Sequence, residues 1–356
     1  MSWIGYITGM LVTALLAVVL FPPILRLAVQ FDWLDYPGHH KRHKRPIPIV
    51  GGALLFVTVW SGVAVGWLVD PGFFAELAGS ILYVFSGSLI IFLVGLSDDL
   101  RPLSAWTKLF AQVATGLLLF LGGLRIDPIS VPFLGSYEIG NLSAFITIIW
   151  VVGLTNAVNL IDGLDGLAGG VSLIGALTLA VIGGLYQAGP AVVFAYVLIG
   201  FLVVFLWYNR YPARVFLGDS GALQIGFYFA VISLLVPVKS YTAAALYLPL
   251  LALGMPLLET GVSIVRRLVR GKNVMQADRR HLFHYLALAG LSPKRIVTVF
   301  YLLSAIFGLF AVAMYYWDRL VIFGILVLFM VVIFALFFIL MANLGGSTRR
   351  RAAGDQ

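Results

Sequence analysis

Apolar runs of about twenty residues recur from one end of this chain to the other, and that recurrence leaves it few ways to fold. Twenty residues of helix match the ~30 Å hydrocarbon core of a bilayer, where backbone N–H and C=O groups must be satisfied within the segment itself. Composition agrees: of 356 residues, 61% are hydrophobic and 11% charged, whereas ordinary soluble domains carry about 25% charge. The chain therefore reads as an all-α polytopic membrane protein, one integral unit over residues 1–356. Its net charge of +8 belongs with anionic lipid and the positive-inside rule, not with nucleic acid. Without a cysteine, disulfides, thiolate metal sites and thiol nucleophiles are excluded. No Lys or Arg precedes Arg26, so the first run reads as a retained helix and not a cleaved leader.

Polar breaks divide the runs into about eleven transmembrane helices, at 4–29, 49–69, 76–97, 103–124, 140–160, 166–187, 190–208, 219–237, 241–269, 295–316 and 319–342. The ninth would reach ~45 Å, longer than the bilayer core, and it contains Pro249, Gly254 and Pro256. A kinked or broken helix is expected there. With the N-terminus outside and the C-terminus inside, only Arg125, Lys239 and Arg319 of the 23 Lys and Arg fall on the outer side. The one substantial outer loop, 125–140, holds two short runs around a Pro-Phe-Leu-Gly break, which predicts a small β-hairpin. All five histidines and the acid clusters fall inside, so chemistry is expected on the cytoplasmic face.

Four inner constellations stand out. In "GLSDDLRPLSAWTKLFAQ" (95–112), Asp98 and Asp99 end one helix and Lys108 begins the next. Adjacent carboxylates near low dielectric suit a general base or a metal-phosphate site, although two solvated acids paired with Arg101 would read the same way. In "NAVNLIDGLDGL" (156–167), Asn156, Asn159, Asp162 and Asp165 follow at steps of three. They offer the neutral and anionic oxygens that a hard cation such as Mg²⁺ prefers, and exceed what helix capping needs. In "WYNRYPARVFLGDSGA" (207–222), Asp219 opens a helix whose N-terminus could hold phosphate, and Phe216 could stack on a flat base. In the loop 270–294, Arg279, Arg280, His281 and His284 form a cationic group suited to phosphate oxygens; a zinc pair is the alternative for the histidines. A further basic loop, 35–52, could hold an anionic substrate or simply contact lipid headgroups. Together these are the parts of phosphoryl transfer at a lipid boundary. A secondary transporter would instead place its ionisable groups near the midplane, where Glu259 is the main candidate.

The paired aspartates, the "NAVNLIDGLDGL" block, "FLGDSGA" and the histidine-containing last loop occur in the order seen in polyprenyl-phosphate N-acetylhexosamine-1-phosphate transferases, which this chain resembles from about residue 30 to 295. The resemblance implies transfer of a sugar-1-phosphate from a UDP-sugar to undecaprenyl phosphate, with Mg²⁺ or Mn²⁺, at the bacterial inner membrane. It implies Asp219 and Asn159 as metal ligands, Asp98 as the group that deprotonates or orients the lipid phosphate with Asp99 beside it, and Lys108 on phosphate. Asp165 and Phe216 match the uracil site, and Asn209 a position near the nucleotide. From their own chemistry, Asn156, Asp162, Arg279, Arg280, His281 and His284 are expected to complete the substrate contacts. The last loop, "ADRRHLFHYL", looks like the UDP-GlcNAc branch and unlike the phospho-MurNAc-pentapeptide transferases. Phe283 stands where that branch usually has a histidine, which leaves UDP-GalNAc or UDP-FucNAc open as donor. A homodimer is compatible with this reading.

Overall fold

A computed structural model describes residues 3–37, 45–71, 75, 77–127, 129–131, 135–236, 253–269, 282–318 and 320–335. Each apolar run within them is helical, as a lipid-embedded backbone requires. The helices are α1 (Ile4–Gln30), α2 (Gly51–Val69), α3 (Ile81–Leu100), α4 (Ala105–Leu121), α5 (Leu142–Ile161), α6 (Leu167–Leu185), α7 (Gly189–Asn209), α8 (Gly218–Leu235), α9 (Gly254–Val269), α10 (Leu282–Leu288) and α11 (Pro293–Tyr316), followed by α12 (Leu320–Ala335). Among the described residues, eight are long and apolar enough to cross a membrane, and α4 and α12 are shorter apolar helices. The ninth run is represented by its second half: α9 begins at Gly254 and runs unbroken to Val269, while 241–252, with Pro249, lie outside the described residues.

Two small antiparallel ladders join the helices. The hairpin expected in 125–140 forms from β3 (Ile129–Val131) and β4 (Gly135–Tyr137), with Ile129 opposite Tyr137. A second ladder, unforeseen in the sequence, pairs β1 (Leu34–Asp35) with β2 (Ile47–Pro48). It makes the stem of the basic 35–52 segment, whose residues 38–44 lie outside the described ones.

Helix α8 is central and packs against α2, α3, α5, α6 and α7. Helices α7 and α8 bury most of their residues, whereas α1 and α3 turn Leu11, Leu15, Val18, Leu82 and Leu93 outward, as faces toward lipid acyl chains do. Inside the bundle, Trp60 Nε1 donates to Ser88 Oγ at 3.0 Å, and Ser88 Oγ meets the Tyr228 hydroxyl at 2.9 Å. That chain ties α2, α3 and α8 together where an unpaired polar group would be costly. Because the helices alternate in direction, the α3–α4, α5–α6 and α7–α8 junctions gather at one end of the bundle, and the β3–β4 hairpin lies at the other.

Candidate active site

The site is built around the first turn of α8. The first N–H groups of a helix have no partner within it, and here a side chain from another helix supplies one. Asp99, at the end of α3, accepts the Asp219 N–H at 2.7 Å through Oδ1; its Oδ2 accepts the Ser220 N–H at 3.1 Å and the Ser220 hydroxyl at 2.5 Å. Such an approach needs bare backbone nearby. Gly52 on α2 and Gly95 on α3 both abut Ser220, and a Cβ at either would collide with it. The loop leading into α8 is held as well: Phe216 N–H donates to Pro48 O at 2.8 Å, Gly51 N–H to Phe216 O at 3.1 Å, and Gly52 N–H to Leu217 O at 3.0 Å. The stem of the basic loop is therefore joined directly to the "FLGDSG" turn.

Asp98 points elsewhere from its neighbour. Its Oδ1 accepts the Leu103 N–H at 2.6 Å, and its Oδ2 meets Lys108 Nζ at 2.9 Å. The same ammonium lies 2.8 Å from Asp219 Oδ2. Lys108 thus bridges Asp98 and Asp219, from helices α3, α4 and α8, and allows two anions to stand close together. The two members of the Asp98–Asp99 pair do different work: one holds the lysine, the other caps α8.

Helix α5 brings the remaining acids. It crosses α8 where Gly226 abuts Thr155, whose Cα would lie 2.5 Å from a Cβ at that glycine. Asp162 is seven residues beyond Thr155 and Asp219 seven before Gly226, so both end ~10 Å from the crossing, toward the same end of the bundle. Asp162 follows the last turn of α5. Burial, first, and then the charges of Asp219, Asp99 and Asp165 push its carboxyl up to about 7. The loop that follows is clamped by neighbours. Asp165 Oδ2 accepts the Ala213 N–H at 3.0 Å. Buried Asn209 accepts the Gly166 N–H at 2.9 Å and donates to Val215 O at 2.8 Å. Tyr301 on α11 donates its hydroxyl to Gly166 O at 2.6 Å, filling the space that Gly170 leaves without a Cβ.

The structure therefore gathers Asp98, Asp99, Lys108, Asp162, Asp165, Asn209 and Asp219 at one end of the bundle. Phe216 is half-buried there, its backbone bridged to Ile49. Asn156 lies deeper, with its carboxamide against Gln112 of α4. His284 follows Phe283 on α10; the Phe283 ring is buried against Gly163 of the acid loop, which brings α10 to the site. Arg279, Arg280 and His281 lie outside the described residues. Glu259, the candidate midplane acid, is buried and accepts the Leu282 N–H at 2.8 Å, so it holds the start of α10.

The donor set fits a hard divalent cation in chemistry. Asn159 and Asp162 are half-buried, and neither side chain makes a hydrogen bond among the described residues, which leaves their oxygens uncommitted beside an excess of negative charge. Among the described residues no three Asp, Glu or His side chains close on a common point, however. Between Asp98 and Asp219 the neutralising charge is the Lys108 ammonium.

Comparison with known proteins decides the family. The sequence pattern of the glycosyl transferase family 4 matches residues 81–236, the stretch from α3 through α8 that carries Asp98, Asp99, Asp162, Asp165 and Asp219. A Bacillus subtilis protein described as a probable undecaprenyl-phosphate N-acetylglucosaminyl 1-phosphate transferase is 34% identical over 336 residues, 93% of this chain and 91% of its own. The chain belongs to the polyprenyl-phosphate N-acetylhexosamine-1-phosphate transferase family, in its undecaprenyl-phosphate N-acetylglucosaminyl branch. Other members are similar over most of their length. The decaprenyl-phosphate N-acetylglucosaminephosphotransferase of Mycolicibacterium smegmatis is 31% identical over 82% of this chain and 78% of its own. A phospho-N-acetylmuramoyl-pentapeptide-transferase of Staphylococcus saprophyticus is 29% identical over 87% and 98%.

Several residues that shape this transferase site carry no chemical signal of their own, although Gly52, Gly95, Gln112 and Ser220 lie inside stretches singled out above. Gln112, Ser220 and Tyr301 carry no charge and lie in apolar helices. Gly52 and Gly95 look like ordinary membrane-helix glycines. The only signal in the sequence is that "GG" at 51–52 begins a helix, where a glycine pair serves close backbone contact more than helix stability.

Proposed function

We propose that this protein transfers GlcNAc-1-phosphate from UDP-GlcNAc to undecaprenyl phosphate, giving undecaprenyl-pyrophosphoryl-GlcNAc and UMP, the first membrane step of a cell-envelope polysaccharide. The carrying observation is a 34% identical relative of that description across 93% of the chain, together with the junction of α3, α4, α5 and α8 that gathers the acids. An oxygen of the lipid phosphate attacks the donor's β-phosphorus; the new P–O bond forms as the bond to the bridging oxygen of UMP breaks. Asp98, held by Lys108 and the Leu103 N–H, orients or deprotonates the incoming phosphate. Lys108 neutralises Asp98 and Asp219 in the free protein and turns to phosphate oxygens when they arrive. Asp219, Asn159 and Asp162 would hold Mg²⁺ or Mn²⁺, which offsets charge on the pyrophosphate when bound. Asp165 and Phe216 serve the uracil, with Asn209 holding their loops together, and Arg279, Arg280, His281 and His284 serve the donor phosphates and sugar. In this reading the protein works in the bacterial cytoplasmic membrane, with this end of the bundle facing the cytoplasm.

The deciding experiment is UMP release by purified protein with undecaprenyl phosphate and Mg²⁺, offering UDP-GlcNAc, UDP-GalNAc and UDP-MurNAc-pentapeptide separately, with an EDTA control. Lipid-dependent, EDTA-sensitive release from UDP-GlcNAc alone is expected. Release from another donor alone would keep the class and change the sugar; release from none by folded protein would overturn the reading.

A further inference from the structure

Gln112 lies four residues, one helical turn, beyond Lys108 on α4 and is 2% exposed. Its carboxamide faces that of Asn156 on α5. Asn156 Nδ2 donates to Gln112 Oε1 at 2.7 Å, and Gln112 Nε2 donates back to Asn156 Oδ1 at 3.5 Å. The other Asn156 Nδ2 hydrogen goes to Val152 O at 2.8 Å. Both donors of Asn156 are thereby spent, and its amide nitrogen has nothing to offer a bound molecule.

Apolar contacts between lipid-embedded helices specify poorly how far one slides along the other, whereas an interhelical amide pair has one register in which both partners are satisfied. This pair sits one turn below Lys108 on α4 and one turn below Asn159 on α5. We propose that Gln112 and Asn156 form a positioning pair that sets the slide of α4 along α5, and with it the spacing of Lys108 from Asn159 and Asp162. Asn156 then serves the site through α4 and not by touching substrate, as its motif suggests. The catalytic consequence rests on the transferase reading above; the structural coupling does not.

The test exchanges the two amides. Gln112→Asn withdraws one carboxamide by a methylene, Asn156→Gln advances the other, and the double exchange keeps their summed length. Each single exchange is expected to lower kcat by roughly 10–100-fold, the scale of a 1 Å misplacement at a distance, with little change in KM for the UDP-sugar. The double exchange is expected to recover most of that kcat and to unfold at a higher temperature than either single. A double exchange no better than the worse single, in kcat and unfolding temperature alike, would overturn the pair. So would Asn156→Ala if it raised donor KM with kcat unchanged, because that places Asn156 on the substrate. Gln112→Met keeps the length and loses both hydrogen bonds, and covers the case in which an exchange unfolds the protein; an unchanged kcat there overturns the proposal. Should the native protein release no UMP, the transferase reading falls, and the unfolding temperatures of the four proteins still decide the pair.

Discussion

At the scale of single residues, Asp162 gives the site a pH dependence that can be tested. Burial and three neighbouring carboxylates hold its carboxyl at about 7, well above the ~3.9 of an unfolded chain. A raised carboxyl is penalised as an anion, so its contribution to the fold is full below the unfolded value of ~3.9 and is lost as pH rises from there through about 7. In metal-free buffer at pH 8, Asp162→Asn should therefore unfold at a higher temperature than the native protein, and the difference should shrink as pH falls below about 7 and vanish below ~3.9. If Asp162 holds the cation as proposed, protons and cation compete for the same carboxylate. The Mg²⁺ concentration giving half-maximal UMP release should rise as pH falls from 8 to 6, and Asp162→Asn should flatten that slope; an unchanged slope would remove Asp162 from the cation site. Asp98 and Asp99 separate by a different measurement. Asp99→Ala strips the acceptor from the first turn of α8 and should lower stability by about 1–2 kcal/mol, as loss of a helix N-cap does. Asp98→Asn should leave the unfolding temperature nearly in place while cutting kcat far more than donor binding.

At the scale of elements, α9, α10 and α11 act on the acid loop from one side. Glu259 of α9 holds the start of α10, Phe283 of α10 rests on Gly163, and Tyr301 of α11 clasps the Gly166 carbonyl. Because Gly170 makes the room for Tyr301, Gly170→Ala would drive the ring out of a packed site. The expected cost is about 1–3 kcal/mol, read as a lower unfolding temperature, with a lower kcat because the Asp162–Asp165 loop loses its outer support. Retained kcat in Gly170→Ala would show that the clasp is structural only.

For the whole molecule, alternating helix direction sets Arg101, beside the acids, and Tyr137, on the hairpin, at opposite ends. Both are exposed. The chain has no cysteine of its own, so single cysteines report orientation cleanly. Tyr137→Cys should react with a membrane-impermeant thiol reagent in intact cells, and Arg101→Cys only after permeabilisation; the reverse pattern would invert the proposed topology.

Membrane class, helix positions, the far-end hairpin and the acid motifs were legible in the chain itself, because lipid imposes a length and polarity rule that each segment obeys alone. Helix limits such as 219–237 against Gly218–Leu235 differ by a residue or two for that reason. What each acid does was not legible. Asp98 and Asp99 are adjacent in sequence, yet one meets Lys108 and the other caps α8, because consecutive side chains point in different directions around the end of a helix. The β1–β2 stem reaching Phe216, the Glu259 hold on α10, and the Gln112–Asn156 pair join residues 23 to 168 positions apart. Such partners are chosen by which helices pack side by side, and only the tertiary structure decides that.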